Sequence, residues 1–139
     1  MAGNPKVLID IIIILDVLQH REPFFLASAR VLSSAEIGSI KGYIAAHTMT
    51  TIFSLVAKDD SPERTRIVLT EVLNFLEISP VNKETIEGAL NLPYQDFEDA
   101  VQMMSAVQVG AEYLVTRKIK DYTAGPIKAI QPAELLALI

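Results

Sequence analysis

Short apolar runs alternate with helix-period segments along most of this chain, and the alternation predicts its fold class. KVLI (6–9) carries a continuous apolar run of strand length, as expected of a strand buried on both faces of a parallel sheet. Ile12 to Gln19 follows as a helix, although isoleucine has only middling helix propensity. Pro23 precedes a second helical stretch, Phe24 to about Ile37, with Gly38 as its stop. GYIA (42–45) reads as another strand. His47 to Ala57 then turns helical, with Met49, Ile52, Phe53 and Val56 on one face. Ser61-Pro62 places an N-cap ahead of a proline at the first helical position and opens a helix to about Phe75. EISPV (77–81) predicts a brief strand, and Asn82 caps a helix through Leu90 that ends before Pro93.

The last third carries the clearest pattern. Asp96 caps a helix in which Phe97, Ala100, Val101 and Met104 recur at helical spacing, and Gly110 closes it. EYLVT (112–116) is a strand, RKIKD (117–121) a turn or short helix, and AIQ (129–131) a last strand before a terminal helix starting at Pro132. Strands alternating with helices imply an α/β protein: a three-layer α/β/α sandwich around a central, mainly parallel sheet. No internal repeat, low-complexity segment or linker interrupts residues 1–139, so one domain is expected.

Composition narrows the function classes. Half of the residues are hydrophobic, which excludes a disordered chain. The absence of cysteine removes disulfides and thiolate metal sites and fits a cytoplasmic location. A net charge of -5 argues against whole-surface attraction to nucleic acid, but leaves open a local basic rim or phosphate contact through cations. The run KVLIDIIIILDVL is shorter than the roughly 20 residues of a spanning helix, and Asp10 and Asp16 interrupt it. It also lacks the positive start and small-residue cleavage site of a signal peptide, so it reads as buried core, with no membrane partner.

In parallel α/β folds the active site lies beyond the carboxyl ends of the strands. Asp10 ends the first strand, Thr116 ends YLVT, and Asp121 follows closely. Asp96 and Asp99 share one face at the start of the helix that precedes that strand. Carboxylates from these separated segments could converge. Held together, they raise one another's pKa unless a cation neutralises them, and such a cluster suits Mg²⁺ or Mn²⁺. Each acid also has a plainer reading. Asp96 and Asp99 fit an N-cap and a first-turn acid, Asp121 a turn residue, and Asp10 a cap of the following helix. Asp16, Glu98, His20 and His47 read as structural or solvated. No phosphate-binding loop, nucleophile elbow or zinc spacing is present.

The chain resembles the PIN-domain proteins, specifically the VapC-like ribonuclease toxins. VLIDIIIILD resembles that family's opening strand, GYIAAHTMTTIFSL its middle segment, and DFEDAVQMMSAVQVGAEYLVTRKIKDY its closing motif. The resemblance implies a PIN-like fold and metal-dependent cleavage of single-stranded RNA, with Mg²⁺ or Mn²⁺ as cofactor. It also implies the toxin half of a toxin–antitoxin pair, an antitoxin partner and a homodimer. Asp10, Asp99 and Asp121 correspond to the family's metal-binding acids. Asp96 would support them, and Thr116 would bond a carboxylate or a metal-bound water. Arg117, Lys118 and Lys120 form a basic group placed to meet RNA phosphates, and Tyr122 beside them could stack a base or simply pack.

Departures from the pattern surround these residues. Ile11 and Ile12 stand where the family has Thr-Asn, Thr51 where a further acid is usual, and Lys118 where asparagine is usual. They leave a second reading open, a catalytically degenerate PIN-like domain that binds RNA or protein without cutting. A phosphoacceptor receiver domain shares the alternating pattern, but GYIA offers it no acceptor aspartate.

Overall fold

The computed structural model describes residues 4–139. Strands β1 (Lys6–Ile9), β2 (Lys41–Ala45), β3 (Leu76–Ser79), β4 (Tyr113–Val115) and β5 (Lys128–Ile130) form one sheet in the order β3-β2-β1-β4-β5. All of its strand pairings are parallel, so the sheet is parallel throughout rather than mainly so. Helices α1 (Ile11–Leu18), α2 (Phe25–Glu36), α3 (Ala46–Asp59), α4 (Pro62–Val72), α5 (Lys83–Leu90), α6 (Phe97–Gln108) and α7 (Pro132–Leu138) connect or follow the strands.

Alternate side chains of the strands go to opposite layers. Val7, Ile9, Ile44, Val115 and Ile130 join the isoleucines of α1 and residues of α2, α3, α4 and α7 in the larger core. Leu8, Tyr43 and Leu114 face the other way, onto Met103 and Ala106 of α6 and onto Tyr122. This is the three-layer α/β/α sandwich the sequence predicts. The run Ile12–Leu15 is buried, which explains why its modest helix propensity does not matter: packing decides it. No helix among the described residues is long and apolar enough to cross a membrane.

Several boundaries follow the predicted signals. Ser61 caps α4, Asn82 caps α5 and Asp96 caps α6 through their side chains. Gly38 and Gly110, beyond the ends of α2 and α6, take the positive φ values of 88° and 70° that glycine tolerates best. Other boundaries shift by one to three residues, two of them with an evident cause. Helix α4 stops at Val72 rather than near Phe75, because residues 73–75 turn the chain so that Leu76 can pair with Gly42. Strand β3 is Leu76–Ser79 rather than 77–81; Pro80 has no N–H with which to extend the ladder.

The order of the strands sets the position of the site. The chain runs outward from β1 through β2 to β3, then returns to the other side of β1 as β4 and β5. The carboxyl ends of β1 and β4 are therefore neighbours at the point where the winding reverses, the usual ligand crevice of an open α/β sheet. The Asp10 N–H donates to the Val115 carbonyl across this seam at 3.0 Å.

Candidate active site

Asp10 follows β1 at the N-cap position of α1, yet its carboxylate makes no capping bond to that helix's second or third turn positions. The carboxylate is instead held by two neutral donors. Thr116 Oγ1 donates to Oδ2 at 2.6 Å, and Gln102 Nε2 donates to Oδ1 at 2.7 Å. Asp10 is almost wholly buried, and burial pushes its pKa up. The bonds from Thr116 and Gln102, the Ile11 N–H and the charge of Lys118 oppose that rise.

Asp99 reaches the same network from the first turn of α6. The Tyr122 hydroxyl donates to Asp99 Oδ1 at 3.0 Å and accepts from Gln102 Nε2 at 2.8 Å. The Asp99 carboxyl is pushed up to about 6, chiefly by burial, with the negative charges of Asp96, Asp10 and Asp121 adding to the rise and the Tyr122 bond opposing it. Asp10 and Asp99 are thus brought together, with Asp96 and Asp121 in electrostatic range. Asp96 accepts the Asp99 N–H at 3.3 Å as a helix cap, so its plainer role is realised as well. Asp121 lies exposed on a short 3₁₀ turn, Ile119–Tyr122. Asp96, Asp99, Lys120 and Asp121 line a cleft of about 360 Å³, together with Tyr94 and Thr123.

The basic group divides. Lys118 and Lys120 are exposed, and Lys118 lies close enough to Asp10 to favour its charged form. Arg117 points elsewhere. Its Nε and Nη2 donate to the two oxygens of Asp16 at 2.8 and 2.9 Å, and its guanidinium lies 3.6 Å from the centre of the Phe24 ring. This engagement withdraws Arg117 from the surface group suggested for RNA. Tyr122 is buried, with its hydroxyl inside the network, so packing rather than base stacking is its role.

The sequence matches the PIN domain family over residues 6–120. The chain belongs to the PIN domain family. No curated protein matches it in sequence. Among solved structures, a toxin–antitoxin complex from Klebsiella pneumoniae superposes with a TM-score of 0.69 at 23% identity, covering 91% of this chain and 97% of that one. VapBC2 from Rickettsia felis, bound to a DNA fragment from its promoter, gives 0.69 at 16% identity, with 91% and 98% covered. VapC20 from Mycobacterium tuberculosis, a toxin that cleaves the sarcin–ricin loop, gives 0.62 at 11% identity, with 78% and 86% covered. At these identities the likeness is one of fold.

PIN nucleases generally use divalent metal ions, so the donor set of this PIN domain has to be tested against a hard cation. Among the described residues no group of three or more acidic, histidine or cysteine side chains is placed to hold one. The Tyr122 hydroxyl and Gln102 amide stand between Asp10 and Asp99, and Asp96 is turned to its cap. The four acids suggested as ligands therefore do not form a protein cage. Mg²⁺ differs from such caged ions: it commonly takes one or two carboxylates and completes its shell with water and substrate phosphate. Asp10 and Asp99 fit that role. Their carboxylates retain unused acceptor positions, and the uncompensated negative charge on Asp99 is what a cation would relieve. When bound, the ion would supply Lewis-acid polarisation of a phosphodiester.

Gln102 is a member of the candidate site that sequence reasoning missed. It is buried on α6, one helical turn beyond Asp99, and its carbonyl accepts from Thr48 Oγ1 at 3.3 Å while its amide serves both Asp10 and Tyr122. Its spacing of three from Asp99 puts both on one helix face, a signal passed over because glutamine carries no charge. Thr51, at the position of the usual further acid, lies half-buried on α3. His47 sits half-buried against Glu98, with burial holding its pKa low; His20 is exposed and stacks on Phe25.

Proposed function

We propose that this PIN domain is a metal-dependent endoribonuclease that hydrolyses single-stranded RNA and is the toxin half of a toxin–antitoxin pair. The observation that carries the reading is the meeting of Asp10 and Asp99 at the reversal point of the sheet, joined by Gln102 and Tyr122. In this reading Asp10 and Asp99 hold Mg²⁺ or Mn²⁺, while Asp121 and Asp96 add negative charge to the cleft. Thr116 fixes Asp10, and Lys118 and Lys120 meet RNA phosphates, which orients RNA without selecting its sequence. An antitoxin partner, a homodimer and a cytoplasmic location belong to the same reading; the toxin–antitoxin complexes among the similar folds support the antitoxin partner.

The test is cleavage of a mixed single-stranded RNA pool by antitoxin-free protein with Mn²⁺, Mg²⁺ or EDTA. Cutting is expected only with the metals and is expected to vanish in Asp99→Asn. A second reading, a degenerate PIN domain that binds RNA or protein without cutting, draws on Ile11, Ile12, Thr51 and Lys118 and on the lack, among the described residues, of a three-acid metal group. Absence of cleavage by folded wild type at every metal concentration would select it.

A further inference from the structure

The Asp16–Arg117 pair is a costly device for stability alone. Asp16 is fully buried and accepts the Arg117 fork as well as the Ser28 hydroxyl at 2.9 Å. Replacing a buried ion pair by apolar side chains of similar volume is often neutral or stabilising, so net stability is a weak reason for this one. Direction is a stronger reason. A bidentate guanidinium stacked on an aromatic ring fixes angle as well as distance, which apolar packing does not.

The residues on either side of Arg117 show what that fixed angle would serve. Thr116, just before it, is fully buried: its N–H donates to the Ile130 carbonyl at 3.0 Å and its hydroxyl to Asp10 at 2.6 Å. Lys118, just after it, donates its N–H to Thr116 Oγ1 at 2.9 Å. Beyond Val115 the strand has ended, and Lys118 and Lys120 are exposed. Arg117 is thus the inward anchor of a segment that otherwise runs out to the surface. It ties that segment to α1 through Asp16, to α2 through Ser28, and to Phe24 at the start of α2.

We propose that the Asp16–Arg117 pair is a positioning device of the site: it fixes the chain leaving β4 so that the Thr116 hydroxyl stays on Asp10. The proposal rests on Asp10 being a working part of the site, as the proposed function holds. Arg117 acts through Thr116 and touches no substrate.

The decisive variant is the double Asp16→Leu/Arg117→Met, which leaves no unpaired buried charge. It is compared with Arg117→Met, Arg117→Lys and wild type. Three quantities are read: melting temperature, hydrogen exchange of the Lys118 amide relative to that of Leu8, and kcat and KM on single-stranded RNA with Mn²⁺. Arg117→Met is expected to melt early and the double variant to recover. In the double variant the Lys118 amide is nevertheless expected to exchange faster, and kcat to fall on the order of tenfold with KM unchanged, as for residues that orient a ligand. A double variant that melts like wild type and keeps wild-type protection at Lys118 and wild-type kcat overturns the proposal. Should the double variant not fold, Arg117→Lys decides: it keeps the charge and loses the fork, and wild-type Lys118 protection in it is equally fatal. The exchange measurement needs no cleavage, so it stands even if the protein proves not to be a nuclease.

Discussion

Asp10 and Asp16 lie at either end of the isoleucine run, both buried, and their surroundings differ in kind. Asp16 has a cation: the Arg117 fork takes both of its oxygens, and Ser28 adds a further bond. Asp10 has only neutral donors in contact, Thr116 and Gln102, and burial pushes its carboxyl up. One acid is neutralised inside the protein. The other is oriented but left with unsatisfied charge, and the nearby Asp99 shares that condition. A protein that places a perfectly paired aspartate close to an unpaired one has no general difficulty in supplying a counter-ion. The difference accords with the proposed function, in which Asp16 is paired within the fold and Asp10 would take a counter-charge from a bound cation.

The strongest way to break this comparison is Arg117→Ala. It strands a buried carboxylate and is expected to lower the unfolding free energy by about 3–5 kcal/mol in urea titrations. A loss below about 1 kcal/mol, the range of exposed pairs, would show that Asp16 does not depend on its cation. Next comes Thr116→Val, which takes one of the two side-chain donors from Asp10 and is expected to cost about 2 kcal/mol. Ser28→Ala should cost less, about 1 kcal/mol, because the Arg117 fork remains on Asp16. Equal losses in these two variants would erase the distinction between the acids.

The smallest expected effect is also the most specific. The Asp99 carboxyl is raised from 3.8 to about 6, so the folded state holds its proton more tightly than the unfolded state does. Its contribution to stability is therefore full below about pH 4 and is lost as the pH rises through about 6. Asp99→Asn removes that loss. It is expected to melt slightly above wild type at pH 8, with the advantage disappearing as the pH approaches 4, in thermal scans across that range. A constant difference at all pH values would mean that the charge on Asp99 is not strained.

The layers of the fold and the location of the site were legible because both rest on local pattern. Strands buried on two faces read as continuous apolar runs, and residues directly after such runs fall at the crevice. Asp10 and Thr116 could be singled out on that ground, and Asp99 from its place at the start of the helix leading into β4. Gln102 could not: inside AVQMM it resembles any polar helix residue until Asp10, 92 positions away, is placed against it. Arg117 looked like part of a basic surface because lysines flank it, while its true partner lies 101 positions back. What was missed was in each case a long-range polar pairing, decided by geometry that the hydrophobic pattern does not encode.

The bond from Thr116 to Asp10 spans 106 positions of sequence, and the β1–β4 seam on which it depends spans as many. During synthesis, at about 5–20 residues per second, roughly 5–20 seconds separate the emergence of one partner from that of the other. For that interval β1 can pair with β2 on one side only, and its other edge waits uncovered. Asp10 meanwhile has neither Gln102 nor Thr116. The ribosome therefore delivers Asp10 and strands β1, β2 and β3 before Gln102 and Thr116, and the last third of the chain acts as a timer on when the candidate site can first form.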